Sequence, residues 1–122
     1  MAEYKSIIVD NPIEKISRIT LNRPNKRNSL SANLRGELFE VLENNDQDEN
    51  INATIIRGSG RAFSAGYDLT KDPDEKDPYY SAGGLGYWPR HVVDGCFKIW
   101  DLAKPVIAQV HGYCLAGGTE LA

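Results

Sequence analysis

Three short runs rich in β-branched residues, at 16–21, 53–57 and 106–110, each give way at once to a loop of small and polar residues. Runs of that length and composition are strands. Strands separated by helical stretches assemble into an α/β fold, and the loops that follow parallel strands open along one edge of the sheet. The sequence therefore predicts an α/β chain whose candidate chemistry is gathered on that edge.

The intervening elements follow from local patterns. Residues 4–10 alternate apolar and polar side chains as a first strand, with Asn11-Pro12 as the turn into the second. Ser31 is an N-cap, and Leu34, Leu38, Val41 and Leu42 recur at helical spacing until about Asn44, where Asn-Asn-Asp-Gln-Asp ends the helix. Residues 71–89 form a long polar loop with three prolines, a length that usually carries function or mobility. A second helix begins near Arg90 and buries Val92, Val93, Cys96, Phe97 and Trp100, with Gly95 as its weak point and Pro105 beyond its end. The 106–110 run is then a buried strand, Gly112 turns the chain, and Gly117-Gly118 opens a last helix. About one turn of it follows, too little to offset the cost of nucleation, and the sequence ends on Leu121-Ala122. It reads as part of a longer natural protein, with residues 1–122 the N-terminal part of a single domain.

Composition narrows the function classes. A chain 41% hydrophobic and 25% charged is an ordinary soluble domain. No signal pattern and no apolar run near the roughly 18 residues of a membrane span are present, so a cytoplasmic protein with no membrane partner is expected. A net charge of −3 argues against a nucleic-acid partner. Cys96 and Cys114 match no metal-ligand or redox spacing and read as small buried hydrophobes, so no metal is expected. Arg23, Lys26 and Arg27, with Arg57 and Arg61, make two basic spots that suit an anion but would serve equally as solvated loop ends.

Three segments could carry chemistry: Arg23-Pro24-Asn25-Lys26-Arg27-Asn28-Ser29-Leu30, the stretch Gly58 to Leu69, and His111 to Glu120. Gly58 and Gly60 match neither the phosphate-cradling loop nor the dinucleotide fingerprint. Ala62, Ala65, Gly66 and Gly117-Gly118 are small enough for a ligand to approach the backbone, and an N–H at the mouth of a helix favours developing negative charge. His111 and His91 have no Ser, Cys or Asp partner at a telling spacing, so a hydrolase triad is unsupported. His111 suits a structural hydrogen bond, while Tyr87, Trp88 and His91 are candidates for contact with a ligand.

The order Arg-Pro, Asn-Ser-Leu, Ala-Phe-Ser-Ala-Gly-Tyr-Asp-Leu and Gly-Tyr-Cys-Leu-Ala-Gly-Gly-Thr-Glu-Leu-Ala resembles the enoyl-CoA hydratases of the crotonase superfamily across essentially the whole chain. The resemblance implies a spiral of strand-strand-helix units, a homotrimer or dimer of trimers, and an acyl-CoA thioester as partner. No separate cofactor is implied, coenzyme A being part of the substrate. It also implies that Tyr67 and Gly117 donate backbone N–H groups to the thioester oxygen. Reaction at an enoyl thioester pushes charge onto that oxygen, and each preorganised donor is worth roughly 3 kcal/mol. The Tyr67 side chain, larger than the residue many hydratases carry there, would alter the acyl pocket.

By the same resemblance, Ala62, Ser64, Ala65, Asp68 and Leu69 line the adenine and pantetheine path, and Lys26 and Arg27 face the phosphates. Ser29, Leu30, Gly66, Leu115 and Gly118 complete the implied substrate site. Glu120 aligns with the first of two catalytic glutamates, the second falling about twenty residues beyond. Read alone, Asp68 could equally be a helix N-cap and Glu120 an ordinary first-turn glutamate. The expected activity is hydration of a 2-enoyl-CoA. The alternatives are isomerisation, thioester hydrolysis or decarboxylation, or a chain of 122 residues that is not competent alone.

Overall fold

The computed structural model describes residues 3–70 and 87–122, the side chains of 87–92 excepted. Strand β1 (Ile7–Ile13) runs antiparallel to β2 (Ile16–Leu21). Helix α1 (Ala32–Gln47) then returns the chain to β3 (Ala53–Gly58), which lies parallel to β2. Strands β4 (Ala62–Ser64), β5 (Val106–Gln109) and β6 (Tyr113–Cys114) and helices α2 (Tyr87–Trp100) and α3 (Gly117–Leu121) complete the described elements. The main sheet has the order β1-β2-β3-β5, while β4 and β6 pair in parallel as a second, smaller sheet. The α/β class expected from the sequence is present. Among the described residues no helix is long and apolar enough to cross a membrane.

The core forms where the apolar stripe of α1 meets the sheet. Leu34, Leu38 and Leu42 pack with Ile7, Ile19, Leu21, Ile56 and Phe63, all essentially closed to solvent. Ser31 caps α1 as expected, its hydroxyl accepting from the Leu34 N–H at 3.1 Å.

Local pattern failed in several places. Asn11-Pro12 is not the first turn: β1 continues through it, and the chain reverses at Glu14-Lys15, where Lys15 takes a φ of 65°. An edge strand tolerates a proline, and the ladder shifts register between Asp10 and Ile13 to accommodate it. The polar cluster does not end α1 at Asn44. The helix runs to Gln47 because Lys104 reaches its C-terminal end, Nζ donating to the carbonyls of Asn45 (2.9 Å) and Asp48 (2.6 Å).

Helix α2 starts at Tyr87 rather than near Arg90, and Val93, Phe97 and Trp100 on its apolar face are exposed rather than buried. Helical period fixes which face is apolar but not whether anything covers it. Strand β5 is likewise a half-covered edge, with Ile107 and Val110 open to solvent. Cys96 and Cys114 are only partly buried. Residues 71–86 of the expected polar loop lie outside what is described, as do the side chains of Tyr87, Trp88, His91 and Val92.

Candidate functional site

Strands β2, β3 and β5 run parallel side by side, so the segments that leave them emerge on the same edge of the sheet. There the stretch from Ala62 to Asp68 lies between the other two and is hydrogen-bonded to both. On one side the Ala65 N–H donates to the Arg27 carbonyl (3.0 Å) and the Leu30 N–H to the Gly66 carbonyl (2.7 Å). On the other, the Leu115 N–H donates to the Ser64 carbonyl and the Phe63 N–H to the His111 carbonyl, each at 3.0 Å. His111 also donates from Nε2 to the Gly60 carbonyl at 2.8 Å, the structural bond expected of it.

Two buried polar side chains hold the turn before α1. Asn28, with no exposed surface and a φ of 55°, accepts the Arg23 N–H at 2.8 Å and donates to the carbonyls of Ser59 (2.9 Å) and Ala62 (2.8 Å). The Ser64 hydroxyl closes the lattice by donating to the Asn28 carbonyl at 2.8 Å. Arg23 donates to the Ser29 hydroxyl and carbonyl and forms an ion pair of 3.0 Å with Asp68.

Tyr67 forms an isolated parallel bridge with Leu30. Its two hydrogen bonds use the Gly66 carbonyl and the Asp68 N–H. By the alternation of a parallel pair, the Tyr67 N–H is therefore directed away from Leu30. Gly117 lies on that far side. A β-carbon on Gly66 would sit 3.1 Å from the Gly117 nitrogen, and one on Gly117 would overlap the Tyr67 ring. The ring is fixed on two further sides, by the Arg35 guanidinium 5.6 Å from its centroid and by a hydrogen bond between its hydroxyl and Cys96.

Burial, followed by the proximity of Cys96 and Glu120, raises the Tyr67 phenol well above its ordinary value, with Arg35 opposing. Burial also raises the Cys96 thiol; the Tyr67 hydrogen bond opposes this and the Glu120 charge adds to it. Cys96 and Glu120 both line a cavity of about 610 Å³ whose other walls include Ile56, Phe97, Val106 and Leu121. The result is one carboxylate on the wall of a largely apolar cavity, next to two crowded backbone segments.

Of the residues singled out from the sequence, Tyr67, Gly117 and Glu120 come together. Lys26 and Arg27 are exposed on the same edge, near Asp68 through Arg23. Leu30, Ala62 and Ser64 have enclosed side chains, so these positions can meet a ligand only through backbone or neighbours. Gly66 and Gly118 are also buried, and Ala65 is partly so. Leu69 and Leu115 are largely exposed. The Asp68 carboxylate accepts from the Thr70 N–H and hydroxyl and from Arg23. Sequence reading missed Arg35 and the side chain of Asn28. Arg35 could have been found, because its spacing to Leu38 and Leu42 puts a charge within the apolar stripe of α1.

The family model described as enoyl-CoA hydratase/isomerase matches residues 13–122. The chain is 38% identical over 121 residues to a probable enoyl-CoA hydratase of Rhizobium meliloti, covering 98% of this chain and 43% of that protein. It is 29% identical over 124 residues to the mitochondrial delta(3,5)-delta(2,4)-dienoyl-CoA isomerase of Rattus norvegicus, covering 97% of this chain and 38% of that protein. The crystal structure of an enoyl-CoA hydratase/isomerase from Xanthobacter autotrophicus Py2 superposes with a TM-score of 0.80 at 36% identity, over 98% of this chain and 43% of that one. The chain thus spans about two fifths of the length of the relatives it matches.

Proposed function

The chain belongs to the enoyl-CoA hydratase/isomerase family, and from that premise we propose that the full-length protein hydrates 2-enoyl-CoA thioesters through a backbone oxyanion hole. The observation that carries this reading is the juxtaposition of the Tyr67 and Gly117 segments with Glu120 one turn beyond, on the wall of the cavity. The N–H groups of Tyr67 and Gly117 receive the thioester oxygen. Glu120 takes a proton from water as its oxygen bonds to the β-carbon. The double-bond electrons move toward the thioester oxygen as an enolate. A second glutamic acid, which the family resemblance puts about twenty residues beyond Glu120, then gives the α-carbon a proton. The proton held by Glu120 passes to solvent as that second carboxylate is reprotonated.

Stabilising the enolate is the electrostatic part of the work, and proton transfer by Glu120 is the acid–base part. Lys26 and Arg27, exposed on this edge, supply positive charge for the phosphates of coenzyme A. A homotrimer or dimer of trimers in the cytoplasm belongs to the same proposal.

The dienoyl-CoA isomerases among the relatives support a second reading, in which Glu120 moves a proton between carbons and no water adds. Crotonyl-CoA hydration, followed by the loss of the conjugated thioester absorbance, separates the two. Glu120→Gln is expected to lower kcat by about 10²–10⁴-fold. Wild-type hydration that Glu120→Gln leaves intact would refute the assignment. Isomerisation of a dienoyl-CoA without hydration of crotonyl-CoA would favour the second reading.

A further inference from the structure

The backbone N–H of Tyr67 belongs to the Gly66–Tyr67 peptide, whose carbonyl accepts the Leu30 N–H at 2.7 Å. The Leu30 N–H belongs in turn to the Ser29–Leu30 peptide, whose carbonyl accepts from Nη1 of Arg23, also at 2.7 Å. In a trans peptide plane the C=O and N–H point in opposite directions. The guanidinium therefore stands at the head of a file of two peptide groups, and the N–H at the far end is that of Tyr67. Each hydrogen bond in such a file polarises the next, so the cation both directs the last N–H and strengthens it as a donor.

The guanidinium is itself held in place. Nη1 also donates to the Ser29 hydroxyl at 2.8 Å, and Nη2 pairs at 3.0 Å with Asp68, the residue after Tyr67. The main chain of Arg23 is fixed by the enclosed Asn28, whose Oδ1 accepts the Arg23 N–H (2.8 Å) and whose N–H donates to the Arg23 carbonyl (2.9 Å). Lys26 and Arg27, its neighbours in the first basic spot, are exposed, whereas Arg23 is turned inward.

We propose that Arg23 is a positioning residue for the Tyr67 oxyanion donor, acting through the Ser29–Leu30 and Gly66–Tyr67 peptides while Asp68 aims its guanidinium. This inference rests on the reading that the Tyr67 N–H receives the thioester oxygen, whichever family reaction follows. It gives Arg23 no contact with the phosphates of coenzyme A.

The test uses the full-length protein and butyryl-CoA isotope-labelled at its thioester carbonyl, whose infrared stretching frequency falls when an oxyanion hole polarises it. Crotonyl-CoA kinetics and the affinity for free coenzyme A, which has no thioester carbonyl, are measured on the same variants. Arg23→Ala should move the bound carbonyl frequency back toward that of the free thioester. It should also lower kcat by about 10–10²-fold, the scale of a displaced rather than a deleted donor, with the affinity for free coenzyme A unchanged. Asp68→Ala should move frequency and kcat in the same direction. If Arg23→Ala does not fold, Arg23→Lys, which cannot span both Ser29 and Asp68, takes its place. A folded Arg23 or Asp68 variant with the wild-type frequency and kcat overturns the proposal. So does an Arg23 variant whose only loss is in affinity for coenzyme A, the mark of a phosphate contact. If wild type polarises the carbonyl but does not hydrate crotonyl-CoA, the hydratase reading is refuted, while a frequency returned toward the free thioester in Arg23→Ala still upholds the positioning role. A wild type that leaves the carbonyl frequency unshifted overturns both.

Discussion

The ring of Tyr67 occupies the space that a β-carbon on Gly117 would need, overlapping it at both Cδ2 and Cε2. At Gly118 the obstacle is of a different kind, because a β-carbon there would run into the backbone carbonyl of Ser64. A side chain can be displaced more readily than a strand.

Gly117→Ala is accordingly expected to destabilise the protein by about 1–3 kcal/mol through overpacking, and Gly118→Ala by more. Combining each with Tyr67→Leu separates the two causes. The loss at Gly117 should be partly recovered in the double variant and the loss at Gly118 should not. Urea midpoints of the four variants give the result, and equal recovery in both pairs would contradict the contacts described.

Asn28 makes the most costly single set of bonds on this edge. Asn28→Ala removes three side-chain hydrogen bonds at a fully enclosed position and leaves the Ala62 carbonyl without that donor. It also puts alanine at a φ of 55°. An expected loss of about 3–5 kcal/mol follows from unsatisfied buried groups combined with backbone strain. Asn28→Gly relieves only the strain, so it should recover a small part of that loss in thermal or chemical unfolding.

Short-range rules made the caps and strands legible in the sequence, and the family resemblance made the candidate site so. Ser31 capping α1, the parallel run of β2, β3 and β5, and the meeting of Tyr67, Gly117 and Glu120 all follow from local pattern plus resemblance. What escaped depends on contacts distant in sequence. Lys104 extends α1 across a separation no local pattern records, and edge position lets Pro12 remain in β1. Arg35 reads as a surface charge until Tyr67 is placed beneath it.

Stability should depend on acid through Asp68. Burial alone would raise its pKa, but the Thr70 hydrogen bonds and the Arg23 guanidinium outweigh it and hold the carboxyl below its ordinary 3.8. A depressed folded value means the contribution is complete above about pH 4 and disappears as the pH falls through the lowered folded value. Asp68→Asn should therefore cost about 1–3 kcal/mol at neutral pH, where a charged hydrogen bond is lost. Below pH 4 its stability should fall less steeply than that of wild type. Asp10, lowered by its hydrogen bond to Arg18, is untouched by the substitution and leaves a residual slope in both proteins. Parallel curves below pH 4 would show that Asp68 carries no linked proton.

Ala116 stores strain immediately before the proposed oxyanion donor. Its φ of 47° and ψ of −120° lie outside the left-handed well, in a region that alanine adopts only under constraint. Its carbonyl accepts the N–H groups of Thr119 (3.0 Å) and Glu120 (3.2 Å), so the strained residue sets the direction in which α3 begins. Such conformations cost about 1–3 kcal/mol, and glycine avoids that cost while losing about 0.5–1 kcal/mol to the greater freedom of its unfolded chain. Ala116→Gly should therefore raise stability by about 1 kcal/mol. It also places three glycines in succession before Thr119, which loosens the orientation of the Gly117 N–H. Activity should then fall as stability rises, with the decrease in kcat rather than in substrate affinity, because the donor matters most when charge has developed on the thioester oxygen. Thermal unfolding and crotonyl-CoA kinetics on the same preparation measure both. A variant that is less stable would show that the surrounding contacts, rather than the backbone of Ala116, bear the strain.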